Sequence, residues 1–470
     1  MSIKDLQKEL TWNFADNAKS KKIDQQIIND FAEKYKKYLD NCKTEREFVT
    51  YAKNIIGGYG YQAFEKSAFA NNAKQLKAGD KLYFVNRNKS IILCTIGQKP
   101  INEGLRITVS HVDSPRLDLK PYPVCEDSEI AYLKTHYYGG IRKYQWVTIP
   151  LALHGVVAKR DGTMVTVNIG EDPADPVFYI SDLLPHLGQE QGERKLREGI
   201  KGEELKAIGA TLPLSSDDDN EKIDEAVKLN LLKLLHDKYG FTERDFLTSE
   251  LSLVPAYNSR DVGLDRSLVG SYGQDDRVCA FGAFMAELES SNPEYTTLTV
   301  FADKEEIGSY GPTGMSSDFM LNFIEDITEI LHGDINTVLR SSNALSTDVG
   351  AAFDPNFASV FDKSNSCQLN HGCVLTKYTG ARGKSGSNDA SAELLSMVTG
   401  ILDRDNVTWQ IGEIGAVDVG GGGTVALYIA KFDINVVDLG VPILAMHSPF
   451  ELAAKYDIYS LYQAVKAFYK

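Results

Sequence analysis

Histidine and carboxylate side chains stand next to apolar, strand-like runs at five places in this 470-residue chain. Imidazole nitrogen and carboxylate oxygen, without thiolate, suit zinc, manganese or cobalt. Where parallel strands lie side by side, their carboxyl ends meet at one edge of the sheet, and active sites form there. The pattern therefore predicts a metal site built from either Asp275 or Asp276 together with His111, Glu306, Asp348 and His447.

The first place is the segment ITVSHVD, which contains His111 and Asp113. Residues two apart on an extended chain point to the same side, so both side chains can face one site. His111 would then be a metal ligand, and Asp113 would hold either the imidazole ring or a neighbouring charge in place. A surface turn is the alternative, because Ser-Pro follows immediately.

Two acidic pairs supply the next candidate groups. Asp275 and Asp276 stand at the start of a predicted helix, where an aspartate can cap the helix or bridge two cations with its two oxygens. Glu305 and Glu306 follow the run TTLTVFAD and precede a glycine turn, in which adjacent side chains can diverge. One glutamate can then bind metal while the other acts as general base, and a solvated charged turn is the alternative.

Asp348, in ALSTDVG, and His447, in VPILAMHSPFE, complete the set. Each has an ordinary structural alternative, a turn aspartate in one case and a buried core histidine in the other. Taken together, the groups suffice for two ions roughly 3.5–4 Å apart that share one aspartate. His111 and Asp348 would hold one ion, Glu306 and His447 the other, and each ion would keep an open position for water or substrate.

The elements that must position these groups alternate between helix and strand at both ends of the chain. A capping-box pattern from Thr44 to Glu47 predicts an early helix, and the β-like run at 105–110 leads directly to His111. Beyond residue 265, strand-like and helical segments alternate again. This alternation predicts an α/β fold with a central mixed sheet covered by helices on both faces.

The middle of the chain has a different texture. Repeated turns and the strand-like runs WVTIPLAL and GVVAKRDGTMVTVNI predict an inserted β-rich domain at residues 119–265. Residues 1–118 and 266–470 would then form the catalytic domain. Two domains agree with a length of 470 residues, which exceeds what a single core usually spans.

Composition excludes several classes of partner. The net charge is −15, from 65 acidic and 50 basic residues, and an acidic surface repels both nucleic acid and anionic lipid. A run of about 18 apolar residues would be needed for a transmembrane helix, and none occurs. No secretory signal is visible, and none of the six cysteines lies in a CxxC pair. We therefore expect a cytoplasmic protein with reduced thiols.

Six sequence words in a fixed order point to a known family: HVDSPRLDLKP, YYGGI, GQDDRVCAF, DKEEIGS, STDVG and LGVPILAMHS. The chain resembles the aspartyl-aminopeptidase family of metallopeptidases, family eighteen of that class, within the clan of two-zinc exopeptidases. The words span residues 110 to 450, so the resemblance covers most of the chain. It implies a zinc-exopeptidase-like fold, peptide substrates and two divalent ions per subunit, with zinc as the expected metal.

The resemblance also assigns roles to individual residues. It implies that Asp113 orients a ligand and that Glu305 is the general base. The bridging aspartate is the first residue of an Asp-Asn pair in the family. Here the pair is Asp275-Asp276, so Asp275 is the expected bridge, and the departure from the pattern leaves Asp276 open. The ligands that the family pattern implies are His111, Asp275, Glu306, Asp348 and His447.

Further implications concern assembly and specificity. The family forms tetrahedral shells of twelve subunits, in which the inserted domain makes dimer contacts. One family histidine reaches into the neighbouring subunit's site; His186 is the candidate here, with a surface-loop histidine as the alternative. The segment around Lys377 and Arg382 differs from acidic-specific members. Either side chain could recognise a substrate carboxylate, or be a solvated loop charge.

These observations predict a metal-dependent aminopeptidase. It would remove the N-terminal residue of a peptide by means of a metal-activated water, and a free N-terminal amine would bind near one ion. Two other classes stay open at this stage. One is another hydrolase of the same clan, a deacylase or carboxypeptidase, and the other is a shell-forming protein without activity.

Overall fold

The structure is a computed structural model that describes residues 1–12, 24–72, 75–215 and 224–470. Contacts between residues divide the chain into two compact units. The first comprises Met1–Asp113, Ser259–Met446 and Phe450–Lys470. The second comprises Ser114–Asn258 and His447–Pro449.

A mixed sheet, nine-stranded in the described part of the chain, lies at the centre of the first unit. Its strands in spatial order are β1 (Gln62–Ala63), β2 (Lys81–Asn86), β3 (Ser90–Thr95), β14 (Thr296–Ala302), β4 (Leu105–His111), β15 (Asn343–Ser346), β19 (Asn435–Gly440), β17 (Cys373–Thr376) and β18 (Trp409–Ile411). Strands β14, β4, β15 and β19 run parallel, and β3 and β17 flank them in the antiparallel direction. Four carboxyl ends therefore meet at one edge.

Helices cover both faces of this sheet, because alternate strand residues point to opposite sides. Ile91 and Leu93 of β3 join one apolar cluster, and Ile92 joins the other. The first cluster includes side chains of α2 (Gln25–Asn41), α3 (Glu45–Ile56), α6 (Gln274–Glu289), α10 (Ala392–Arg404) and α12 (Lys455–Phe468). The second includes side chains of α7 (Phe319–Ile330), α8 (Ile335–Ser341) and α11 (Ala426–Ala430). The predicted α/β class, with a covered central mixed sheet, is confirmed.

Local sequence signals account for several helix ends. The predicted capping box opens α3, where Thr44 Oγ1 accepts the Glu47 N–H at 3.3 Å and the Glu47 carboxylate accepts the Thr44 N–H at 3.1 Å. The same helix ends at Ile56, and Gly57 follows it as the C-cap. The unit also contains α1 (Ile3–Leu10) and the short α9 (Ala381–Lys384). Within the described ranges, no helix of the chain is both long and apolar enough to cross a membrane.

A small third sheet in the first unit was not anticipated from the sequence. Its strands in order are β12 (Arg260–Val262), β13 (Leu268–Ser271), β21 (Glu451–Ala454), β20 (Pro442–Leu444) and β16 (Gly350–Ala351). The strands have two to four residues each, too few for a hydrophobic period to be recognised. Strand β16 begins two residues after Asp348, and β13 leads into α6. The sheet therefore anchors segments that carry candidate ligands.

The second unit is β-rich, as the sequence predicted. Its sheet contains β11 (Ser249–Pro255), β5 (Arg116–Asp127), β6 (Ile130–Tyr138), β10 (Lys206–Ala210), β9 (Phe178–Tyr179), β7 (Pro150–Ala158) and β8 (Met164–Ile169). Strand β11 pairs with β7 as well as with β5, which closes the sheet on itself. The unit also holds the helices α4 (Gln189–Glu193) and α5 (Ala226–Tyr239).

Candidate metal centre

Three candidate ligands lie at the carboxyl edge of the central sheet. His111 is the last residue of β4, and Asp348 lies two residues beyond β15. Glu306 follows β14 in a short 3-10 turn that begins at Glu305. In the register of the parallel strands, Ala302 at the end of β14 pairs with His111. The parallel topology thus brings segments that are distant in sequence to the same level.

Two groups of side chains have their ligand atoms close enough to hold metal ions. Within each group, all ligand atoms lie within 4.8 Å of one another. The first group is His111, Asp275 and Asp348, and the second is Asp275, Glu306 and His447. The structure therefore brings the five predicted ligands together in two sets. Asp275 is the residue that the two sets share, and Asp276 belongs to neither.

The imidazole of His111 is buried and oriented by carboxylates. Its Nε2 lies 3.5 Å from Asp348 Oδ1, on the side of the ligand group. Its Nδ1 lies 3.3 Å from the Asp113 carbonyl oxygen and 3.7 Å from Asp276 Oδ1. Burial lowers the pKa of His111, but Asp348 and Asp113 outweigh burial and raise that pKa well above its usual range. A proton on Nδ1 would leave Nε2 free to bind metal.

Asp113 holds the turn that carries the two glutamates. Its carboxylate is fully buried; Oδ1 accepts the Glu305 N–H at 3.0 Å and Oδ2 accepts the Glu306 N–H at 3.2 Å. From the sequence, Asp113 is expected to fix the imidazole of His111 or a neighbouring charge. Its second task was missed because the turn is 192 residues away along the chain, beyond the reach of any local pattern.

The turn itself gives the adjacent glutamates different surroundings. Lys304 has a left-handed backbone with φ +70°, which costs a non-glycine residue about 1 kcal/mol, and Gly308 ends the turn with φ +93°. Glu306 belongs to a ligand group, whereas Glu305 belongs to neither. Loss of surrounding water raises the pKa of Glu305 to about 8; His111 opposes this shift and nearby carboxylates add to it. A carboxyl group with such a pKa suits proton transfer near neutral pH.

Asp275 lies in the first turn of α6 and does not cap it. The N-cap position is Gly273, with φ +69° and no side-chain capping bond. The capping alternative for the aspartate pair is therefore not what the structure shows. A buried acceptor, Glu451, instead receives the Gln274 and Asp275 N–H groups. Glu451 is not predictable from the sequence, because its only local signal is an acidic residue four positions after His447.

The other predicted site residues lie in different settings. His447, with φ +64°, has Nδ1 2.9 Å from the Gly140 carbonyl oxygen. His186 is exposed in a 3-10 turn of the second unit. Lys377 lines a cavity of about 350 Å³ in the first unit, and its Nζ lies 2.5 Å from Asp389 Oδ1. Neither His186 nor Lys377 belongs to a ligand group.

The residues fit divalent cations. The donors in both groups are carboxylate oxygens and imidazole nitrogens, which suit zinc, manganese and cobalt. Three aspartates, Asp113, Asp275 and Asp276, are at least 95% buried near His111 and Arg277, which are buried as well. Concentrated negative charge in a protein interior is costly unless positive charge is supplied, and metal ions supply it most effectively.

Comparison with known proteins identifies the family. Residues 38–469 match the family model described as Aminopeptidase I zinc metalloprotease (M18). A Clostridium acetobutylicum relative, named probable M18 family aminopeptidase 1, is 47% identical over 459 residues, which cover 96% of this chain and 97% of the relative. The crystal structure of the M18-family enzyme from Thermotoga maritima has a TM-score of 0.90 at 42% identity, over 97% of this chain and 98% of that one. The yeast mApe1 dodecamer shares the fold, with a TM-score of 0.73 at 18% identity over 94% of this chain and 98% of that one.

These comparisons confirm the family resemblance, the fold and the enzyme class. The chain is an aminopeptidase of a zinc metalloprotease family. They do not favour the alternatives of a deacylase, a carboxypeptidase or an inactive shell protein. With a family model matched from residue 38 to residue 469, the chain belongs to the M18 family of aminopeptidase I zinc metalloproteases.

Proposed function

We propose that this aminopeptidase uses two divalent ions, with zinc as the expected metal. The ions would be held by His111, Asp275, Glu306, Asp348 and His447. The observation that carries the proposal is the presence of Asp275 in both ligand groups. A carboxylate has two oxygens, so one residue can serve two ions, as in known two-metal hydrolytic sites. Manganese and cobalt suit the same donors.

Bound ions would polarise the scissile carbonyl and lower the pKa of the attacking water. The proton of that water passes to the Glu305 carboxylate, which delivers it to the nitrogen of the leaving amine. Glu305 suits this task because it lies beside the ligand groups without belonging to either. In the metal-free protein the pKa of Glu305 is raised to about 8, and bound cations would lower it towards the value that a general base needs near neutral pH.

Asp113 acts as a positioning residue for both halves of this machinery. Its two oxygens fix the backbone of the base, Glu305, and of the ligand, Glu306. Its carbonyl oxygen lies 3.3 Å from Nδ1 of His111 and favours the tautomer with a free Nε2. The free N-terminal amine of a peptide would bind near one of the ions, which favours exopeptidase action.

The test compares Glu305→Gln with Asp275→Ala, with the exposed Glu329→Gln on α7 as a matched control. Each protein is stripped with a chelator, reloaded with zinc, manganese or cobalt, and assayed on aminoacyl reporter substrates. Glu305→Gln should bind two ions per chain and lose about 100-fold or more in kcat, the usual contribution of a general base. Asp275→Ala should lose both metal and activity, and the control should keep both. Full turnover by Glu305→Gln, or two ions in Asp275→Ala, would contradict the proposal.

A blocked substrate separates an aminopeptidase from the other hydrolases of the clan. Peptides with a free N-terminus should be cleaved, and the same peptides with an acetylated N-terminus should not. Release of acetate, or cleavage from the C-terminus, would instead support a deacylase or a carboxypeptidase.

We also propose assembly into a homo-oligomer, a shell of twelve subunits in which the second unit makes dimer contacts and His186 serves a neighbouring site. The support is that a yeast protein of the same fold is described as a dodecamer, together with the exposure of His186. Twelve copies of the 52.0 kDa chain would have a mass of about 620 kDa in light scattering. His186→Ala should keep that mass and lower kcat, whereas a fully active monomer would contradict the proposal.

Two smaller proposals concern specificity and location. Lys377 would recognise a substrate carboxylate, in competition with Asp389, so Lys377→Ala should raise KM for acidic N-terminal residues more than for neutral ones. An unchanged ratio would contradict this role. A cytoplasmic location is supported by six free cysteines, five of them buried. Fractionation of cells should recover the protein with cytoplasmic markers.

A further inference from the structure

The carboxylate of Glu451 joins the start of α6 to β21. Glu451 is 1% exposed, and its Oε2 accepts the Gln274 N–H at 2.5 Å and the Asp275 N–H at 3.1 Å. The Gln274 side chain completes the connection, because its Nε2 donates to the Glu451 carbonyl oxygen at 2.5 Å and to the Val269 carbonyl oxygen at 3.0 Å. One buried glutamate thus fixes the backbone on which the shared candidate ligand stands.

This acceptor replaces a missing cap. The first N–H groups of a helix have no partner within the helix, and a residue at the N-cap usually supplies one. In α6 that position is Gly273, which has no side chain to do so. Glu451 supplies the acceptor from strand β21. Its negative charge at the N-terminus of a helix is also favourable.

We propose that Glu451 is a positioning residue of the metal centre, which fixes the backbone of Asp275 so that its carboxylate can serve both ligand groups. A shared carboxylate has little freedom, because a productive metal site holds its ligands within about 0.5 Å. Asp275 carries both the shared carboxylate and the backbone N–H that donates to Glu451. A shift of the first turn of α6 would therefore move one ligand of both groups together.

A purely structural role for Glu451 makes a different prediction, and Asp457 of α12 provides the matched control. Asp457 is also fully buried, and its two oxygens accept the Asn370 and Gly372 N–H groups, both at 2.7 Å. It therefore makes bonds of the same kind in the same unit. None of these three residues belongs to a ligand group.

The experiment uses the full chain as Glu451→Ala, Glu451→Gln and Asp457→Ala. The affinity for Zn²⁺ is measured by chelator competition, together with kcat, KM and resistance to urea. Glu451→Ala should bind Zn²⁺ about 10- to 100-fold more weakly, which is the usual effect of removing a residue that orients a ligand. Its kcat should fall by a larger factor than its KM changes. Glu451→Gln should restore most of the affinity, since its side-chain oxygen can accept both N–H groups. Asp457→Ala should lose resistance to urea and keep its Zn²⁺ affinity.

Unaltered Zn²⁺ affinity in Glu451→Ala, or an equal loss in Asp457→Ala, would overturn the inference. If Glu451→Ala does not fold, Glu451→Asp withdraws the acceptor by one methylene. The absorption spectrum of the Co²⁺-loaded protein should then change, and an unchanged spectrum would overturn the inference. The inference rests on the proposed ligand role of Asp275, which Asp275→Ala tests separately. Metal loss in Asp275→Ala with normal affinity in Glu451→Ala would refute the role of Glu451 alone.

Discussion

Replacing Asp113 by alanine should loosen the turn that carries Glu305, the proposed general base, and Glu306, a candidate ligand. The carboxylate accepts the N–H groups of Glu305 and Glu306 at 3.0 and 3.2 Å, and it is fully buried, so water cannot take its place without rearrangement. Hydrogen bonds to a charged group contribute about 1.5–3 kcal/mol each, so the two together contribute about 3–6 kcal/mol.

Neighbouring carboxylates reduce that loss. Burial raises the pKa of Asp303 to about 6, and the charge of Asp113 adds to the shift. Asp113 likewise adds to the raised pKa of Glu305. Removal of its charge relieves this repulsion in the metal-free protein. We therefore expect Asp113→Ala to lower the free energy of unfolding by about 3 kcal/mol, near the lower end of the range for two such bonds.

Urea unfolding of the metal-free protein, followed by tryptophan fluorescence, measures this difference. Activity should fall further than stability alone requires, because a displacement of about 1 Å in a catalytic group can cost 100-fold in rate. Asp113→Asn keeps one acceptor oxygen and should lie between the parent and Asp113→Ala in both measurements. The control is Asp334→Ala, which removes an exposed aspartate that accepts the Thr337 N–H at the start of α8. It should lose less stability and keep its kcat.

Two results would refute this reasoning. One is a loss below about 1 kcal/mol for Asp113→Ala, which would mean that the bonds to the turn contribute no more than a neutral hydrogen bond. The other is a kcat unchanged from that of the parent protein, which would mean that the turn keeps its position without Asp113.

Two further predictions concern stability and the ligand segments. Asp261 forms ion pairs with Lys455, Lys36 and Arg266. Burial alone would raise the pKa of Asp261, but hydrogen bonds to these three side chains outweigh burial and lower it. A carboxyl group with a lowered folded-state pKa stabilises above its unfolded pKa near 3.9, and this contribution is lost as pH falls through the folded pKa. Asp261→Asn should therefore cost about 3 kcal/mol at pH 7 and progressively less below about pH 4; a difference independent of pH would contradict the assignment. Gly440→Ala would place a Cβ 1.5 Å from the Asp348 carbonyl oxygen, and should weaken Zn²⁺ binding as well as stability in the same chelator and urea assays. Gly372→Ala, with a Cβ 2.2 Å from the Thr408 carbonyl oxygen, should affect stability alone, so equal Zn²⁺ affinity in the two variants would refute the link to Asp348.

The sequence predicts the positions at which ligands leave the sheet, because apolar runs mark the strands and ligand residues follow them directly. The runs at 105–110 and in TTLTVFAD correspond to β4 and β14, which end at His111 and Ala302. The parallel arrangement that brings these ends together follows from alternation of strand and helix. Fold class and the general location of the site are therefore readable from the chain.

Contacts between distant segments are not readable in this way. Glu451 and Gln274 are 177 residues apart, and no local period relates them. The choice between Asp275 and Asp276 depends on the rotation of α6 about its axis, which packing sets. The five-stranded sheet escaped prediction for a similar reason, since its short strands, such as Gly350–Ala351, are defined only by their partners.

The order of strands in the central sheet has a consequence for the newly made protein on the ribosome. Ser110 and Thr347 each lie next to a candidate ligand, and their hydroxyl groups form a hydrogen bond although the two residues are 237 positions apart in the chain. At 5–20 residues per second, roughly 12 to 47 s separate the synthesis of these two positions. Until Asp348 has been made, the emerging chain contains His111 at the end of β4 but lacks the carboxylate that lies beside it in the folded protein. On the proposed ligand set, a chain made only as far as residue 347 still lacks Asp348 and His447, so a complete metal site would first exist when translation is nearly finished.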